Sequence, residues 1–209
     1  MATGLAAVMG AYLFGGIPIG LLIARLNAIA DIRQHGSGNI GASNVLRLLG
    51  VKLGLLVLLL DALKGYAPVA AAKHVFGLQG WWVAGVALAA IGGHCFSVYL
   101  RLTGGKGVAT SLGVILGLDW RAGLICLGVW VAIVGATRYI SLASMIASAL
   151  SAPMLCFFGE PGQRAPVVMA GGLLAALVME RHRANIQRLL AGNERRLGQR
   201  ETAAAKERP

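Results

Sequence analysis

A glycine turn with one lysine, Gly104-Gly105-Lys106-Gly107, stands between two apolar runs and is followed by Thr110. Glycines let backbone N–H groups come close to a ligand, while Lys106 and the N-terminus of the helix predicted to follow favour negative charge. A nucleotide-binding P-loop is disfavoured, because no strand precedes the turn and Gly107 stands where that motif has Ser or Thr. The turn therefore predicts a phosphate site formed by Gly104, Gly105, Lys106, Gly107 and Thr110, with the alternative that Lys106 only extends its ammonium to the membrane interface.

The first polar segment in chain order, residues 37–44 with Arg47, offers two hydroxyls, two carboxamides, two glycines and a guanidinium. Backbone donors, small hydroxyls and a guanidinium are the groups that hold a phosphate oxyanion, and Arg can bind it through two parallel hydrogen bonds. The alternative is an ordinary turn with a helix cap. The basic glycine turn elsewhere in the chain favours phosphate binding, by Ser37, Gly38, Asn39, Gly41, Asn44 and Arg47.

A third segment places His182, Asn185 and Arg188 three residues apart, on one face of a predicted helix. This face either forms the mouth of a site or is a solvated stripe. His182 is the side chain that we nominate as a general base, because the ordinary pKa of imidazole lies near neutral pH. No Ser-His-Asp, Cys-His or paired-carboxylate pattern indicates a covalent intermediate, so the predicted reaction depends on a reactive substrate.

Two charged residues, Asp61 and Lys64, lie three apart within an otherwise apolar run, so they share a helix face and can pair. A functional role is the default hypothesis for an ion pair inside a membrane, but we favour a structural tie that orients the phosphate site. His94 ends the next run, and Tyr99 occupies the place of the acid in a His-x4-Asp acyltransferase dyad. His94 therefore either binds substrate or hydrogen-bonds across helices, and we favour the second.

The composition is that of an integral membrane protein, because 57% of the 209 residues are hydrophobic and 13% are charged, against roughly 25% charged in soluble domains. The candidate spans, judged against the ~20 residues that cross a hydrocarbon core, are the runs 3–25, 53–76, 81–100, 107–118, 122–137, 140–158 and 165–180. The run at 107–118 is short and opens with a polar turn, which predicts either a short crossing or a half-spanning helix. The predicted fold is an all-α polytopic bundle of about seven transmembrane helices.

The positions of Lys and Arg predict that the N-terminus is outside and the C-terminus cytoplasmic. With seven crossings, the outer loops receive Lys73, Arg121 and Arg164, whereas eight basic residues from Arg181 onward are cytoplasmic. The other cytoplasmic basic residues are Arg25, Arg33, Arg47, Lys52, Arg101, Lys106 and Arg138. All three polar segments then share the cytoplasmic face. The net charge of +11 indicates contact with anionic lipid headgroups rather than with nucleic acid.

The chain is predicted to form one domain, residues 1–198, followed by a polar, disordered cytoplasmic tail at 199–209. Residues 28–52 are predicted to form a re-entrant or interfacial element. Residues 181–197 are predicted to extend the last helix along the membrane surface. The apolar side of that extension is formed by Ile186, Leu189 and Leu190.

Six motifs occur in an order that is similar to one known family. They are Ser37-Gly-Asn-Ile-Gly-Ala-Ser-Asn-Val-Leu-Arg47, Asp61-Ala-Leu-Lys-Gly65, the stretch Gly93 to Thr110, Arg138-Tyr-Ile-Ser-Leu-Ala-Ser144, His182-Arg-Ala-Asn185 and Gly192-Asn-Glu194. Together they closely resemble the bacterial acyl-phosphate:glycerol-3-phosphate acyltransferases, from the first span to about Gly198. The resemblance implies a seven-helix inner-membrane enzyme that makes lysophosphatidic acid from acyl phosphate and glycerol 3-phosphate. It implies no coenzyme A or acyl carrier protein as direct donor.

The resemblance also assigns residues to the site. Around the phosphates it implies Ser37, Arg47, Lys106, Ser144, His182 and Asn185, with backbone groups near Gly41 and Gly105 as further donors. The predicted catalytic residues are Ser37, Lys106 and His182. The predicted supporting residues are Asp61, Lys64, His94, Arg138 and Glu194. The chain departs from the family pattern at Ser43, Ser97 and Leu102, where Thr, Pro and Phe are usual.

The predicted reaction is direct attack of the sn-1 hydroxyl on the acyl carbon, with the proton taken by His182 or by a phosphate oxygen of the donor. No cofactor or metal is predicted. A competing hypothesis is a transporter or channel for an organic phosphate, against which the outer loops are short and poor in polar groups. A weaker one is an assembly factor that binds lipid headgroups without turnover.

The cysteines, predicted to pack in apolar runs, are Cys95, Cys126 and Cys156.

Overall fold

The computed structural model describes residues 1–199, and over these residues the regular structure is entirely helical. The α-helices are α1 Ala2–Gly15, α2 Ile19–Leu26, α3 Ala42–Leu49, α4 Val51–His74, α5 Trp81–Cys95, α6 Val108–Leu118, α7 Trp120–Thr137, α8 Ile140–Ala149, α9 Ser151–Phe158, α10 Arg164–Arg181 and α11 Arg183–Leu190. Short 3₁₀ helices occupy Ile32–Gln34 and Val98–Leu100. The all-α prediction is confirmed over the described residues. All of the predicted tail except Gln199 lies outside them.

Five segments are long and apolar enough to cross a membrane: Ala2–Leu26, Val51–His74, Trp81–Leu100, Trp120–Thr137 and Ile140–Phe158. These support a multi-pass membrane protein. The predicted runs 107–118 and 165–180 are also helical, as α6 and α10. The α6 helix has 11 residues and spans about 16 Å at 1.5 Å per residue, so it is short, and whether it crosses fully stays a prediction. The count of seven crossings and the orientation of the termini stay predictions.

Two of the predicted runs are each divided into two helices. The first is divided at Pro18, which precedes α2 and has a φ of −86°. The second is divided at Leu150, between α8 and α9. A proline lacks the N–H that a continuous helix needs, which explains the first break. Continuous apolar composition predicted the span in both cases but did not indicate its interruption.

The α4 and α6 helices are packed closely because small residues line their interface. A Cβ added at Gly65 would overlap the carbonyl oxygen of Thr110, and one at Gly113 would overlap that of Ala62. Between membrane helices, where lipid is as apolar as the helix surface, such backbone contact is a main source of packing energy. The interface therefore fixes α6, which begins directly after the glycine turn, against the longest helix of the bundle.

The ends of α1 and α5 are joined by two side-chain hydrogen bonds. Tyr12 donates from its hydroxyl to the carbonyl of Phe96 at 2.6 Å, and Ser97 donates from Oγ to the carbonyl of Gly16 at 2.6 Å. Ser97 has a φ of −66°, a value that proline also adopts. The departure from the usual proline thus keeps the local backbone angle and adds a buried hydrogen bond.

The predicted element 28–52 consists of a loop with one 3₁₀ turn at Ile32–Gln34, then α3, and then the first two residues of α4. Ile32 and Ile40 of the loop are buried in an apolar cluster with Leu21 of α2, Val45 of α3 and Val57 of α4. The loop is therefore anchored to the bundle by its own apolar side chains.

The predicted extension of the last helix is present as α11, but it does not continue α10. The backbone breaks at His182, which has φ −103° and ψ 9°. On the predicted apolar side, Leu190 is 85% exposed and Ile186 and Leu189 are partly buried, while Asn185 on the polar side is buried. The polar side of α11, with Asn185, therefore faces the bundle rather than solvent.

Candidate active site

A polar cluster joins three segments of chain at one end of the bundle. Lys106 of the glycine turn donates from Nζ to Oδ1 of Asn185. Asn185 donates from Nδ2 to Oε1 of Glu194 at 2.6 Å, and Ser141 of α8 donates from Oγ to the same oxygen at 2.7 Å. Arg188 donates from Nε to Oε2 of Glu194 at 2.7 Å. The predicted residues Lys106, Asn185 and Glu194 are thus brought into contact.

The charge of this cluster is strongly positive. Burial is the main reason that the pKa of Lys106 is lowered to about 8, and the positive charges of Arg188, Arg181 and Arg47 lower it further while Glu194 raises it. Arg47 of the first polar segment therefore lies within electrostatic reach of the glycine turn. Three arginines acting on the charge of Lys106, with Glu194 as the carboxylate among them, form a site that favours anions.

Glu194 holds the cluster together as an ionised carboxylate. Burial alone raises its pKa, but hydrogen bonds from Ser141, Asn185 and Arg188 outweigh burial and lower the pKa overall. The segment that carries Glu194 is fixed in turn by Arg138, which donates from Nε and Nη2 to the carbonyl of Leu197 at 3.0 and 2.6 Å. Arg138 therefore acts on the site through the C-terminal segment.

His182 is buried beside the cluster, and its Nδ1 lies 2.8 Å from the carbonyl oxygen of Val178. A carbonyl only accepts hydrogen bonds, so Nδ1 carries the proton of the neutral ring and Nε2 is the accepting atom. Burial and the charge of Lys106 lower the pKa of His182 to about 4. The ring is therefore neutral at ordinary pH, which suits hydrogen-bond acceptance but makes it a weak base.

The glycine turn is held by groups on both sides. The N–H of Gly105 donates to the carbonyl of His94 at 3.1 Å. Arg181 donates from Nε to the carbonyl of Gly105 at 3.0 Å and from Nη2 to that of Gly104 at 2.8 Å. The N–H of Gly105 is therefore not available to a ligand, and the prediction that it is a donor is wrong.

Thr110, predicted as a phosphate ligand, is fully buried in α6, and its backbone carbonyl lies against Gly65 of α4. Its hydroxyl is buried with no hydrogen-bond partner among the described residues, and its role as a phosphate ligand stays a prediction. Gly107 begins α6 with φ +78°, a left-handed conformation that favours glycine. Its role is to turn the chain from Lys106 into the helix.

The first polar segment is organised around Asn44. Its Oδ1 accepts from the N–H of Ser37 at 2.9 Å, and its Nδ2 donates to the carbonyls of Ile32, His35 and Asn39 at 3.3, 3.1 and 2.9 Å. Both ends of this buried carboxamide are used within the loop. Asn44 is therefore a structural residue, not the phosphate ligand that was predicted.

The N–H of Gly41 is also used within this segment, because it donates to Oδ1 of Asn39 at 2.8 Å. Gly41 is therefore not the backbone donor that was predicted, and Asn39 forms a local turn. Ser37 and Gly38 are exposed and stay candidate ligands together with Arg47. Ser43 lies half-buried in the first turn of α3.

Ser144 does not join the polar cluster. Its Oγ donates to the carbonyl of Ile140 at 2.7 Å and accepts from Nε1 of Trp130 at 3.1 Å. It lines an almost entirely apolar cavity of about 60 Å³ between α4, α6, α7 and α8. The hydroxyl that reaches Glu194 is instead Ser141, one turn earlier on the same face of α8. Sequence reasoning missed Ser141 and Arg181, although both stand within or beside the recognised motifs.

Asp61 and Lys64 form the predicted ion pair, with Oδ1 and Nζ 2.8 Å apart. Both side chains are 3% exposed, and Lys64 also donates to the carbonyl of Ile17 at 2.7 Å. His94 places its Nδ1 3.8 Å from Oδ1 of Asp61. The ring of His94 packs so closely against Gly105 that a Cβ there would overlap it. The pair therefore joins α4 to the connection between α1 and α2 and lies next to His94 of α5, as expected of a structural tie.

Known proteins share the sequence and the fold of this chain. The family model described as glycerol-3-phosphate acyltransferase matches residues 5–192. The chain belongs to the glycerol-3-phosphate acyltransferase family. This acyltransferase is 47% identical over 193 residues to a glycerol-3-phosphate acyltransferase of Thioalkalivibrio sulfidiphilus, covering 92% of this chain and 93% of the relative. It is 44% identical over 202 residues to one of Synechococcus sp., covering 97% and 98% of the two chains.

Two solved structures are similar to this acyltransferase, both of PlsY (YgiH), an integral membrane glycerol 3-phosphate acyltransferase. Its glycerol 3-phosphate form has a TM-score of 0.88 and 42% identity, and its lysophosphatidic acid form has a TM-score of 0.86 and 41% identity. Each comparison covers 94% of this chain and 96% of the PlsY chain. The prediction of a membrane acyltransferase is confirmed, and the transporter and assembly-factor hypotheses are set aside.

The shifted pKa of Lys106 predicts a pH dependence. Anion binding needs the ammonium form, so kcat/KM should fall as the pH rises through about 8, the pKa of Lys106 in the free enzyme. The fall is measured from initial rates at low substrate concentration between about pH 6.5 and 9.5. This range lies above the second pKa of a phosphate monoester, near 6, so ionisation of the substrate does not cause the change. A Lys106→Arg variant is the control, because its guanidinium stays protonated. If the variant shows the same fall near pH 8, Lys106 is not the titrating group.

Proposed function

We propose that this acyltransferase transfers a fatty acyl group from acyl phosphate to the sn-1 hydroxyl of glycerol 3-phosphate. The products are lysophosphatidic acid and inorganic phosphate, which places the reaction in phospholipid synthesis. The observation that carries the proposal is the excess of positive charge around Lys106, where Arg47, Arg181 and Arg188 act on its ammonium and Arg188 binds Glu194. The glycerol 3-phosphate and lysophosphatidic acid forms of the similar PlsY support the same acceptor and product.

The phosphate groups of both substrates bind at this cationic end of the bundle. The proposed ligands are the exposed Ser37 with Arg47 from the first polar segment, Lys106 from the glycine turn, and His182 and Asn185 from the end of α10 and the start of α11. Ser37, Lys106 and His182 touch the reacting groups, whereas Glu194 and Arg138 position them. Neutralising charge and aligning the two substrates supplies most of the catalysis, because the donor is already reactive.

Acyl phosphate suits this site as the donor. It is a mixed anhydride with a good leaving group, so no enzyme nucleophile is needed. The hydroxyl oxygen bonds to the acyl carbon while the bond from that carbon to the phosphate oxygen breaks. Coenzyme A, acyl carrier protein, a cofactor and a metal ion have no part in the proposed reaction. Membrane lipid surrounds the acyl chain while its phosphate head reaches the loops.

The hydroxyl proton has two possible acceptors, Nε2 of His182 and an oxygen of the departing phosphate. The pKa of His182, lowered to about 4, lies below the second pKa of a phosphate, near 6. We favour the phosphate as the final acceptor, with Nε2 accepting a hydrogen bond from the attacking hydroxyl. The proton then leaves with inorganic phosphate.

The proposed location is the bacterial inner membrane, with the site on the cytoplasmic face. Support comes from the distribution of basic residues, since the positive-inside rule places the residues around the site in the cytoplasm. In the proposed topology the chain crosses seven times, with α6 as a short crossing, the N-terminus outside and the C-terminus inside. Residues 1–198 form the single catalytic domain.

The experiment that tests the proposal mixes the purified protein in detergent micelles with acyl phosphate and labelled glycerol 3-phosphate. Lysophosphatidic acid and inorganic phosphate should appear in equal amounts. Parallel reactions with acyl coenzyme A or acyl-acyl carrier protein as donor should give no product. Product from either thioester at a comparable rate, or phosphate release without lysophosphatidic acid, would contradict the proposed donor.

A further inference from the structure

Arg181 is the last residue of α10, and its guanidinium binds the backbone of the glycine turn. Two of its N–H groups donate to consecutive carbonyls, those of Gly105 at 3.0 Å and Gly104 at 2.8 Å. The guanidinium carbon lies 5.6 Å from the centre of the Phe96 ring, over its face. A planar fork that meets two acceptors at once is a geometry that Arg supplies and Lys does not.

The opposite side of the turn is closed by α5. The N–H of Gly105 donates to the carbonyl of His94, and Cβ atoms added at Gly104 or Gly105 would overlap His94. The turn is therefore held between the ends of two helices. If Arg181 were removed, the described hydrogen bond that would still hold the backbone of the turn is the one from the N–H of Gly105 to the carbonyl of His94 in α5.

Two groups of the proposed reaction lie next to this contact. Lys106 directly follows the clasped Gly105, and His182 directly follows Arg181. The two hydrogen bonds therefore set the distance between the segment that carries Lys106 and the segment that carries His182. The Lys106–Asn185 hydrogen bond joins the same two segments through flexible side chains, whereas Arg181 contacts backbone.

We propose that Arg181 is a positioning residue that fixes the glycine turn against the end of α10, and that it acts through the two carbonyls rather than by contact with a substrate anion. This inference rests on the proposed function, since it takes Lys106 and His182 as residues of the site. Displacement of a reacting group by about 1 Å can lower a rate about 100-fold. The loss of Arg181 should therefore affect kcat, not substrate binding alone.

The test compares Arg181→Lys and Arg181→Met with the native protein. Lys keeps the charge but lacks the planar pair of N–H groups that donates to both carbonyls, and Met lacks the charge and the donors. Both variants should therefore lose about 100-fold in kcat. Amide hydrogen exchange of residues 103–108 should become at least about tenfold faster in both, because the N–H of Gly105 is protected only while the turn rests on α5. Exchange in α7 should not change, which separates loosening of the turn from global unfolding.

The matched control is Arg183→Met, which removes a neighbouring cation whose side chain is 75% exposed and pairs with Glu180. It should keep native kcat and native exchange. Near-native kcat in Arg181→Lys together with a large loss in Arg181→Met would overturn the inference in favour of a charge acting on substrate. Unchanged exchange in residues 103–108 of both variants would overturn it as well.

The proposed function can fail separately from this inference. A Lys106→Met protein should lose activity while the Gly105 amide keeps its native exchange rate. If no acyl phosphate-dependent product forms with the native protein, the function fails, and the exchange measurement still decides whether Arg181 holds the turn.

Discussion

Replacing Lys106 with Met should lower kcat/KM for acyl phosphate and glycerol 3-phosphate about 10²–10³-fold, the usual loss when one donor to a developing anionic charge is removed from a preorganised site. The side chain of Lys106 is half-buried, and a charge in such surroundings interacts more strongly with a bound phosphate than it would in water. Both kcat and KM should worsen, because the ammonium contacts the anion in the ground state and in the transition state. Steady-state rates of lysophosphatidic acid formation measure the effect.

The control for this variant is Lys52→Met, which removes an exposed lysine from the first turn of α4 and should leave kcat/KM within about twofold of the native value, as expected for a surface charge away from the site. If Lys106→Met keeps native activity, Lys106 only extends to the membrane interface and the anion site at the glycine turn is wrong.

Replacing Asp61 with Asn should destabilise the protein by about 3–5 kcal/mol, because removal of one partner leaves the other buried charge uncompensated. Lys64 would keep its hydrogen bond to the carbonyl of Ile17 but lose its counter-charge at 2.8 Å. The apparent unfolding temperature in micelles should fall by about 10 °C. Activity should fall as well, since His94 lies between this pair and the turn at Gly105.

Two further variants make this test specific to the buried pair. Asp61→Asn with Lys64→Met removes both charges and should recover most of the lost stability. Glu180→Gln removes the carboxylate of an exposed pair with Arg183 and should change the unfolding temperature very little. An unfolding temperature of Asp61→Asn equal to that of the native protein would show that the pair is not a structural tie.

The sequence is sufficient to predict the helices and part of the site. A membrane span must satisfy its backbone internally and bury about 20 apolar residues, so apolar runs identify helices almost directly. Ion pairing of Asp61 with Lys64 followed from their spacing on one helix face. The sequence predicts that the segments carrying Lys106 and Asn185 lie on one side of the bundle. It does not predict the hydrogen bonds that join Lys106, Asn185 and Glu194.

The assignments that failed concern hydrogen-bond capacity. Asn44, Gly41 and Gly105 have the groups that a phosphate needs, but the fold uses those groups internally. Sequence pattern reports which donors exist and not which are already occupied. Ser144 and Ser141 show the same limit, because two hydroxyls one turn apart face the same side and only tertiary contacts decide which reaches Glu194.

Arg181 could not be recognised from spacing, since its partners are backbone carbonyls of residues 104 and 105, 77 and 76 positions away. Its neighbour His182 can be recognised from the sequence, because imidazole is a common general base. A basic residue next to a candidate base is a signal that could have been used. The geometry of the turn was needed to show what that residue does.

The most direct test of the account is the sidedness of the three polar segments. Single cysteines at Gln34, Thr103 and Asn193, all exposed, can be placed in a Cys156→Ser background, since Cys95 and Cys126 are buried. A Gly162→Cys variant, on a loop predicted to be outside, reports access of the reagent. With an impermeant thiol reagent, intact spheroplasts should label position 162 alone, and inside-out vesicles should label 34, 103 and 193. Labelling of position 34 and position 103 from opposite faces would contradict a single anion site built from converging segments.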